Sequence, residues 1–191
     1  RKWTEKAAAQ IVTGDSKVFD QYIREIIRDF DCLEINEGRK PRVGVVGEIL
    51  VKYHPTANNN VVGVIESEGA EAVVPDMLDF FLYSLADPIY HYETLAGTRS
   101  KKILAQLYIH LLEKSRRNMV EALQNSQRFS APIPIEEMAE LAKPILQLGH
   151  HTGEGWFLTA EMIELIKSGT PNIICVQPFA CLPNHVTGKG M

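Results

Sequence analysis

Three side chains that can bind metals or take part in catalysis lie close together near the end of the chain: Cys175, Cys181 and His185. Cys175 lies within an apolar run, where a cysteine usually packs as a small hydrophobic side chain. Cys181 follows that run in a polar loop, so its thiol could be a metal or cluster ligand, a nucleophile, or neither. The C-x5-C-x3-H spacing differs from compact zinc motifs, in which two to four residues separate the cysteines. A zinc ion held by these three residues alone is therefore disfavoured.

A second group of polar residues lies in a glycine-rich loop before a predicted helix, and its centre is Glu154. Gly153 and Gly155 flank this carboxylate and would let the backbone approach a cofactor closely. The free N–H groups at the start of the following helix attract anions. His150 and His151 precede this loop and could be ligands or acid–base groups, although adjacent loop histidines are more often only solvated. The loop is therefore a candidate for catalysis by Glu154 and for cofactor binding by its glycines.

Three short apolar runs predict the β-strands that position these loops: Arg42–Ile49, Glu71–Val74 and Asn172–Val176. Each run is rich in β-branched residues and is bounded by turn residues, as is typical of buried parallel strands. The first two runs belong to a strand–helix–strand unit, whose right-handed crossover makes its strands parallel. Ligands of open α/β sheets bind at the carboxyl ends of such strands. The side chains that we expect at this edge are Glu48, Glu154, Cys181, Asn184 and His185.

Gly44 and Gly47, followed by Glu48, resemble part of the dinucleotide-binding fingerprint. The third glycine of that fingerprint is absent. The pattern therefore supports a βαβ unit and does not support nucleotide binding.

The other periodic segments predict helices, so we expect an α/β fold with a parallel Rossmann-like sheet flanked by helices and a helical hairpin or cap insertion. Residues 1–40 form an N-terminal helical segment and residues 41–86 the first βαβ unit. Residues 87–130 form the helical insertion, and residues 131–191 a helix–helix–strand unit that ends in the Cys181 loop. All four segments are expected to belong to one α/β domain.

Turn and proline signals predict where some of these elements end. Residues 51–57 are expected to form a loop after the first strand. A helix over Met77–Leu85 is expected to break at Asp87–Pro88, because proline lacks the N–H that an internal helical position needs. A helix is also expected over Thr159–Ser168, with Gly169 ending it.

Composition narrows the classes of partner and compartment. The 191 residues carry a net charge of −4, which argues against a nucleic-acid groove. No apolar run approaches the roughly 20 residues of a membrane-spanning helix. The three cysteines are odd in number and unevenly spaced, so a reducing cytoplasm is expected rather than a disulfide framework. Because the chain starts at Arg1 and ends in a glycine-rich loop, we expect it to be a piece of a longer polypeptide.

Three stretches of the chain resemble a known family. They are VGVVGEILVKYHPTANNNVV (43–62), TGEGWFLTAEMIELI (152–166) and CVQPFACLPNHVTGKGM (175–191). They resemble the C-terminal part of large CoA-substrate-specific enzyme activase-related proteins, which are relatives of 2-hydroxyacyl-CoA dehydratases and benzoyl-CoA reductase. The resemblance covers most of the chain from about Arg42 onward.

The resemblance implies oxygen-sensitive iron–sulfur chemistry. In this family an ATP-hydrolysing activase passes low-potential electrons toward a cluster-bearing α/β component that acts on CoA thioesters. Carried over by position, Cys181 is the implied cluster ligand and Cys175 a weaker second, and two thiols cannot complete a cluster that takes four ligands. The sequence lacks the ATPase motifs, so the ATPase activase part would be a partner. The alternative is a non-catalytic interaction module, in which the helical segment docks onto the ATPase part and the cysteines are structural.

Overall fold

The computed structural model describes residues 2–35, 38–94 and 97–191. The chain separates into two compact units. The helical unit comprises Arg1–Glu37 and His110–Pro132, and the sheet unit comprises Gly38–Ile109 and Ile133–Met191. Within the described ranges, no helix has the length and apolar character needed to cross a membrane.

The secondary structure of the described residues is mainly helical. In chain order the α-helices are α1 (Lys2–Thr13), α2 (Ser16–Asp31), α3 (Ile49–Tyr53), α4 (Val61–Ser67), α5 (Leu78–Thr94), α6 (Arg99–Gln124), α7 (Ile135–Ala142), α8 (Gly155–Lys167) and α9 (Leu182–Asn184). A π-helical turn, His185–Lys189, follows α9 directly. The strands are β1 (Arg42–Gly47), β2 (Glu71–Val73) and β3 (Asn172–Val176).

The three strands form one parallel sheet in the order β2-β1-β3. In the register of β1 and β3, Val43 pairs with Asn172 and Gly47 with Val176. Val45 and Val46 of β1 are fully buried, as expected for the central strand of a sheet covered by helices. The predicted α/β class and the three parallel strands are therefore confirmed.

Helix α8 packs on the sheet and supplies most of the buried apolar side chains around it. Leu158 and Leu165 of α8 contact Val46 of β1, and half-buried apolar side chains surround them. A Cβ on Gly44 would lie 2.7 Å from a methyl carbon of Leu165, so a side chain here would displace the packing of α8 on the strand. This packing fixes α8, and with it the loop that precedes α8, against the sheet.

Several predicted boundaries in the sheet unit are wrong. Helix α5 continues through Asp87 and Pro88 to Thr94, so Tyr90 and His91 are helical rather than in a loop. Aromatic packing of Tyr83 on Trp156 and Phe157 holds this helix in place and outweighs the local cost of the proline.

The loop expected over residues 51–57 begins with a helical segment, since α3 extends to Tyr53. The Glu48 carboxylate caps this short helix by accepting a hydrogen bond from the Val51 N–H at 2.8 Å. Helix α8 also starts four residues before the predicted Thr159, and it ends as expected before Gly169, whose φ is +89°.

The helical unit is stabilised by local caps and surface contacts. Asp15 caps α2 by accepting hydrogen bonds from the N–H groups of Lys17 at 2.9 Å and Val18 at 3.4 Å. The Trp3 indole N–H and the Lys2 ammonium both donate to the Asp29 carboxylate at 2.9 Å. These contacts join α1 to α2.

Candidate functional site

The carboxyl ends of β1 and β3 lie in direct backbone contact. The Glu48 N–H donates to the Val176 carbonyl oxygen at 2.9 Å. Gly47 has a φ of +137°, and a Cβ there would lie 1.8 Å from the same oxygen. Only glycine fits this position, because a side chain would collide with the backbone of the neighbouring strand. The loops after β1 and β3 therefore start side by side.

The two predicted catalytic glutamates, Glu48 and Glu154, both bind the first turn of α3, directly after β1. Glu154 accepts a hydrogen bond from the Ile49 N–H at 3.0 Å and is 5% exposed, while Glu48 caps the same helix, α3, through Val51. The structure thus brings together two carboxylates that are 106 positions apart in the chain. Both have backbone partners, so each already helps to hold the first turn of α3.

A buried ion pair that was not predicted from the sequence joins α3 to α8 near the carboxyl edge of the sheet. Lys52 Nζ lies 2.6 Å from Glu161 Oε1, and the two side chains are 4% and 3% exposed. Burial raises the pKa of the Glu161 carboxyl to about 7, against the lowering effect of the Lys52 ammonium. The available signal was Glu161, one of two acidic residues within the mostly apolar helix α8.

The two predicted metal-binding cysteines lie on and just after β3. Cys175 is half-buried, and burial raises the pKa of its thiol, with further contributions from Glu161, Glu154 and Cys181. Cys181 is half-buried at the N-terminus of α9. A Cβ on Gly188 would lie 2.9 Å from Cys175 Sγ, so the π-helical turn approaches this sulfur closely.

The predicted polar residues after Cys181 differ in their exposure. His185 is exposed, and its Nδ1 lies 2.9 Å from the Cys181 carbonyl oxygen and 3.1 Å from Gln177 Nε2. Asn184 is fully buried, and neither atom of its amide has a hydrogen-bond partner among the described residues. His185 is accessible to a ligand, whereas Asn184 lies beneath the loop surface.

The two predicted glycines shape the loop before α8. Gly153 and Gly155 have φ values of +64° and +48°, which favour glycine. A Cβ on Gly153 would lie 3.2 Å from Pro183, and one on Gly155 would lie 2.2 Å from the His150 carbonyl oxygen. The glycines therefore let this loop pack against the segment after Cys181 and fold back on itself.

The structure also brings together three possible metal ligands that were not predicted as a group from the sequence. One of them, His151, belongs to the loop before α8. Asp87 and His91 of α5 meet His151, and one ligand atom from each lies within 4.8 Å of the others. His151 Nδ1 is 2.7 Å from Asp87 Oδ1, and His91 Nε2 is 3.5 Å from Asp87 Oδ2. The D-x3-H spacing was a usable signal, but the helix break predicted at Pro88 concealed it.

The described residues contain no comparable group around the cysteines. Cys175 and Cys181 do not belong to any set of three His, Cys, Asp or Glu side chains with ligand atoms this close together in ranges 2–35, 38–94 and 97–191. Of the two adjacent histidines in the glycine-rich loop, only His151 joins a ligand group, and His150 is exposed. No family model, curated protein or solved structure matches the chain.

Proposed function

We propose that the chain is a module of a 2-hydroxyacyl-CoA dehydratase/activase-like protein. In this proposal it takes part in ATP-driven, low-potential electron transfer through an iron–sulfur cluster, toward CoA-thioester chemistry. Its functional face is the carboxyl edge of the sheet, where Glu48, Glu154 and His185 are the candidate catalytic residues. The family stretches identified in the sequence supply the chemistry of this proposal.

The single observation that supports this location is the contact between the loops after β1 and β3. The strand order β2-β1-β3 agrees with the 2-1-3 order that begins one common type of doubly wound sheet. We therefore propose a doubly wound, Rossmann-like fold for the sheet unit. In such sheets the ligand crevice lies where connections leave neighbouring strands toward opposite faces. Here that position would be between β1 and β3, next to Cys181.

The residues of the chain fit only part of a cluster site. An iron–sulfur cluster takes four thiolate or equivalent ligands, and the sheet unit offers Cys175 and Cys181. The raised pKa of Cys175 opposes the thiolate form that a ligand needs, so Cys181 is the better candidate. The third cysteine, Cys32, is exposed in the helical unit. We therefore propose that Cys181 contributes to a cluster whose other ligands come from outside this chain.

Gly153, Gly155 and Asn184 would shape the wall of the same crevice. The positive φ values of the glycines bring their loop against Pro183, which lies two positions after Cys181. The Asn184 amide, which is buried and has no hydrogen-bond partner among the described residues, is proposed as a cofactor-binding group of this crevice. A cytoplasmic location is also proposed, because all three cysteines are free thiols.

Anaerobic purification of the full-length protein, with iron and sulfide assays, tests this proposal. We expect Cys181→Ser to lower bound iron and sulfide and to weaken the visible absorption of the cluster. Cys32→Ser is the matched control, because it removes an exposed thiol that lies outside the sheet unit. Equal iron and sulfide in wild type and Cys181→Ser, or none in either, would overturn the proposed role of Cys181.

A non-catalytic interaction module that docks to an ATPase activase part is the second candidate. One observation favours it: the apolar stripe of α6 is about half exposed. Its members in the sheet unit are Ile103 (55%), Leu104 (49%), Leu107 (51%) and Tyr108 (49%). Apolar patches of this kind often mark protein-binding surfaces.

Charged substitutions on this stripe distinguish the two candidates. The interaction module predicts that Leu104→Glu and Leu107→Glu abolish co-purification with the activase part and leave bound iron unchanged. The redox module predicts loss of iron with Cys181→Ser and intact co-purification. A wild-type level of complex in both leucine variants would exclude docking through α6.

A further inference from the structure

We propose that Asp87, His91 and His151 bind one divalent transition-metal ion of the Zn²⁺ or Fe²⁺ class. The proposed site uses none of the cysteines, so it does not depend on the iron–sulfur proposal. All three residues belong to the sheet unit.

The backbone places the three side chains on one spot. Asp87 and His91 are one helical turn apart on α5, and residues at this spacing share a helix face. His151 comes from the loop between α7 and α8, 60 positions farther along the chain. The rings of His91 and His151 lie 4.7 Å apart at an interplanar angle of 77°. Their nitrogens therefore approach the Asp87 carboxylate from two directions.

The spacing of the ligand atoms is close to that of a metal centre. Metal–nitrogen and metal–oxygen bonds of about 2.0–2.2 Å place neighbouring ligand atoms roughly 3 Å apart. The two nitrogen–oxygen distances here are 2.7 and 3.5 Å. The three ligand atoms lie within 4.8 Å of one another, so rotations of the side chains would bring them to one ion.

The Asp87 carboxylate has an unfilled acceptor position at this spot. Its Oδ1 atom is buried and makes no aligned hydrogen bond, even though His151 Nδ1 is 2.7 Å away. A buried carboxylate oxygen without a hydrogen-bond donor destabilises the fold. A cation bound by both Asp87 Oδ1 and His151 Nδ1 would satisfy this oxygen.

The ligand types select the class of metal. Two imidazoles and one carboxylate suit Zn²⁺ and Fe²⁺, whereas Mg²⁺ and Ca²⁺ prefer oxygen ligands throughout. The side chains of Asp87, His91 and His151 are 33%, 36% and 25% exposed. Three protein ligands with solvent access leave coordination positions for water or for an oxygen atom of a ligand, as in catalytic rather than structural sites.

The neighbouring residues hold His151 in place. The Tyr83 hydroxyl donates to the His151 carbonyl oxygen at 2.6 Å, and the Trp156 N–H donates to the His150 carbonyl oxygen at 2.6 Å. Tyr83 is 3% exposed and stacks on Phe157. These contacts orient the loop, and such outer contacts tune affinity at metal centres.

Titration of the metal-free full-length protein with Co²⁺, followed by visible absorption and isothermal calorimetry, tests the proposal. We expect one ion per chain, and we expect His91→Ala and His151→Ala to raise the Kd by at least about 100-fold, beyond the roughly 10- to 100-fold effect of losing an outer contact. His150→Ala is the matched control, because it removes the exposed neighbour in the same loop and should leave the Kd unchanged.

Three results would overturn the proposal: unchanged binding in both ligand variants, equal weakening by His150→Ala, or loss of the Co²⁺ spectrum in Cys181→Ser alone. The last result would place the ion on the thiols. If an alanine variant fails to fold, Asp87→Asn and His151→Gln keep the side-chain size and decide the question by the same measurement. A loss of binding in those two variants, with unchanged circular dichroism, would support the site.

Discussion

Two groups of ionisable side chains in the sheet unit differ in how their polar atoms are satisfied. Lys52 and Glu161 are almost fully buried and contact each other at 2.6 Å. Asp87, His91 and His151 are a quarter to a third exposed, and their ligand atoms face one another without an aligned hydrogen bond at Asp87 Oδ1. The first group therefore has the character of a structural support, and the second that of a binding site.

Because of this difference, substitutions in the two groups should change different properties of the protein. Removing one partner of a buried ion pair leaves an uncompensated charge in the interior, which is strongly destabilising. Half-exposed charges are screened by water and contribute little to folding. Substitutions in the Lys52–Glu161 pair should therefore act on stability, whereas substitutions of Asp87 or the two histidines should act on binding.

Lys52→Met is expected to give the largest change in stability. At about pH 8 it should lower the free energy of unfolding by roughly 3–5 kcal/mol, because the buried Glu161 carboxylate loses the Lys52 ammonium that it contacts. Urea denaturation measures this loss. Asp87→Asn is the matched control and should change stability by less than about 1 kcal/mol. Similar losses in both variants would remove the distinction between the two groups.

The sheet could be predicted from the sequence because its information is local. The runs of β1 and β2 can be recognised within a few residues each, and their parallel pairing follows from the short crossover between them. The ends of α5 could not be predicted in this way. Pro88 predicts a break, and the helix persists because Tyr83 packs against residues more than 70 positions away.

The pH dependence of stability provides a second test of the buried pair. The folded-state pKa of Glu161 is raised to about 7 from an ordinary value near 4.5. Between these values the folded chain binds more protons than the unfolded chain, so the free energy of unfolding should fall as pH rises through this window. The full shift corresponds to roughly 3 kcal/mol.

Urea denaturation at several pH values between about 5 and 8 measures this slope, and Glu161→Gln should flatten it. The amide keeps an oxygen that can accept from Lys52 and no longer titrates. His151→Ala is the control, since it leaves the buried pair untouched and should retain the Glu161 contribution. An equally steep decline in Glu161→Gln would show that another group is responsible.

The candidate sites could be predicted from the sequence only where neighbouring residues mark them. Cys181 and Glu154 could be proposed because glycines and polar residues mark their loops. The Asp87, His91 and His151 group could not be assembled, because its members are joined only by the packing of α5 against the loop before α8. A D-x3-H pattern becomes meaningful once the helix is known to continue through Pro88.

Tyr83→Phe is expected to give a small change in stability and a measurable change in metal binding. It removes the hydrogen bond to the His151 carbonyl oxygen while keeping the ring that packs on Trp156 and Phe157. One hydrogen bond contributes about 0.5–1.5 kcal/mol, so the loss on urea denaturation should be about 1 kcal/mol. Burial raises the pKa of the Tyr83 hydroxyl, so it remains a donor and the loss should not depend on pH below 9 or so.

The same variant should weaken Co²⁺ binding by about tenfold, because the loop that carries His151 loses an orienting contact. Lys52→Met provides the opposite case, with a large loss of stability and little change in Kd while the protein remains folded. A binding site and a structural support are thereby separated by two measurements on two variants. If Tyr83→Phe left the Kd unchanged while Lys52→Met raised it, the loop would not orient His151 as inferred.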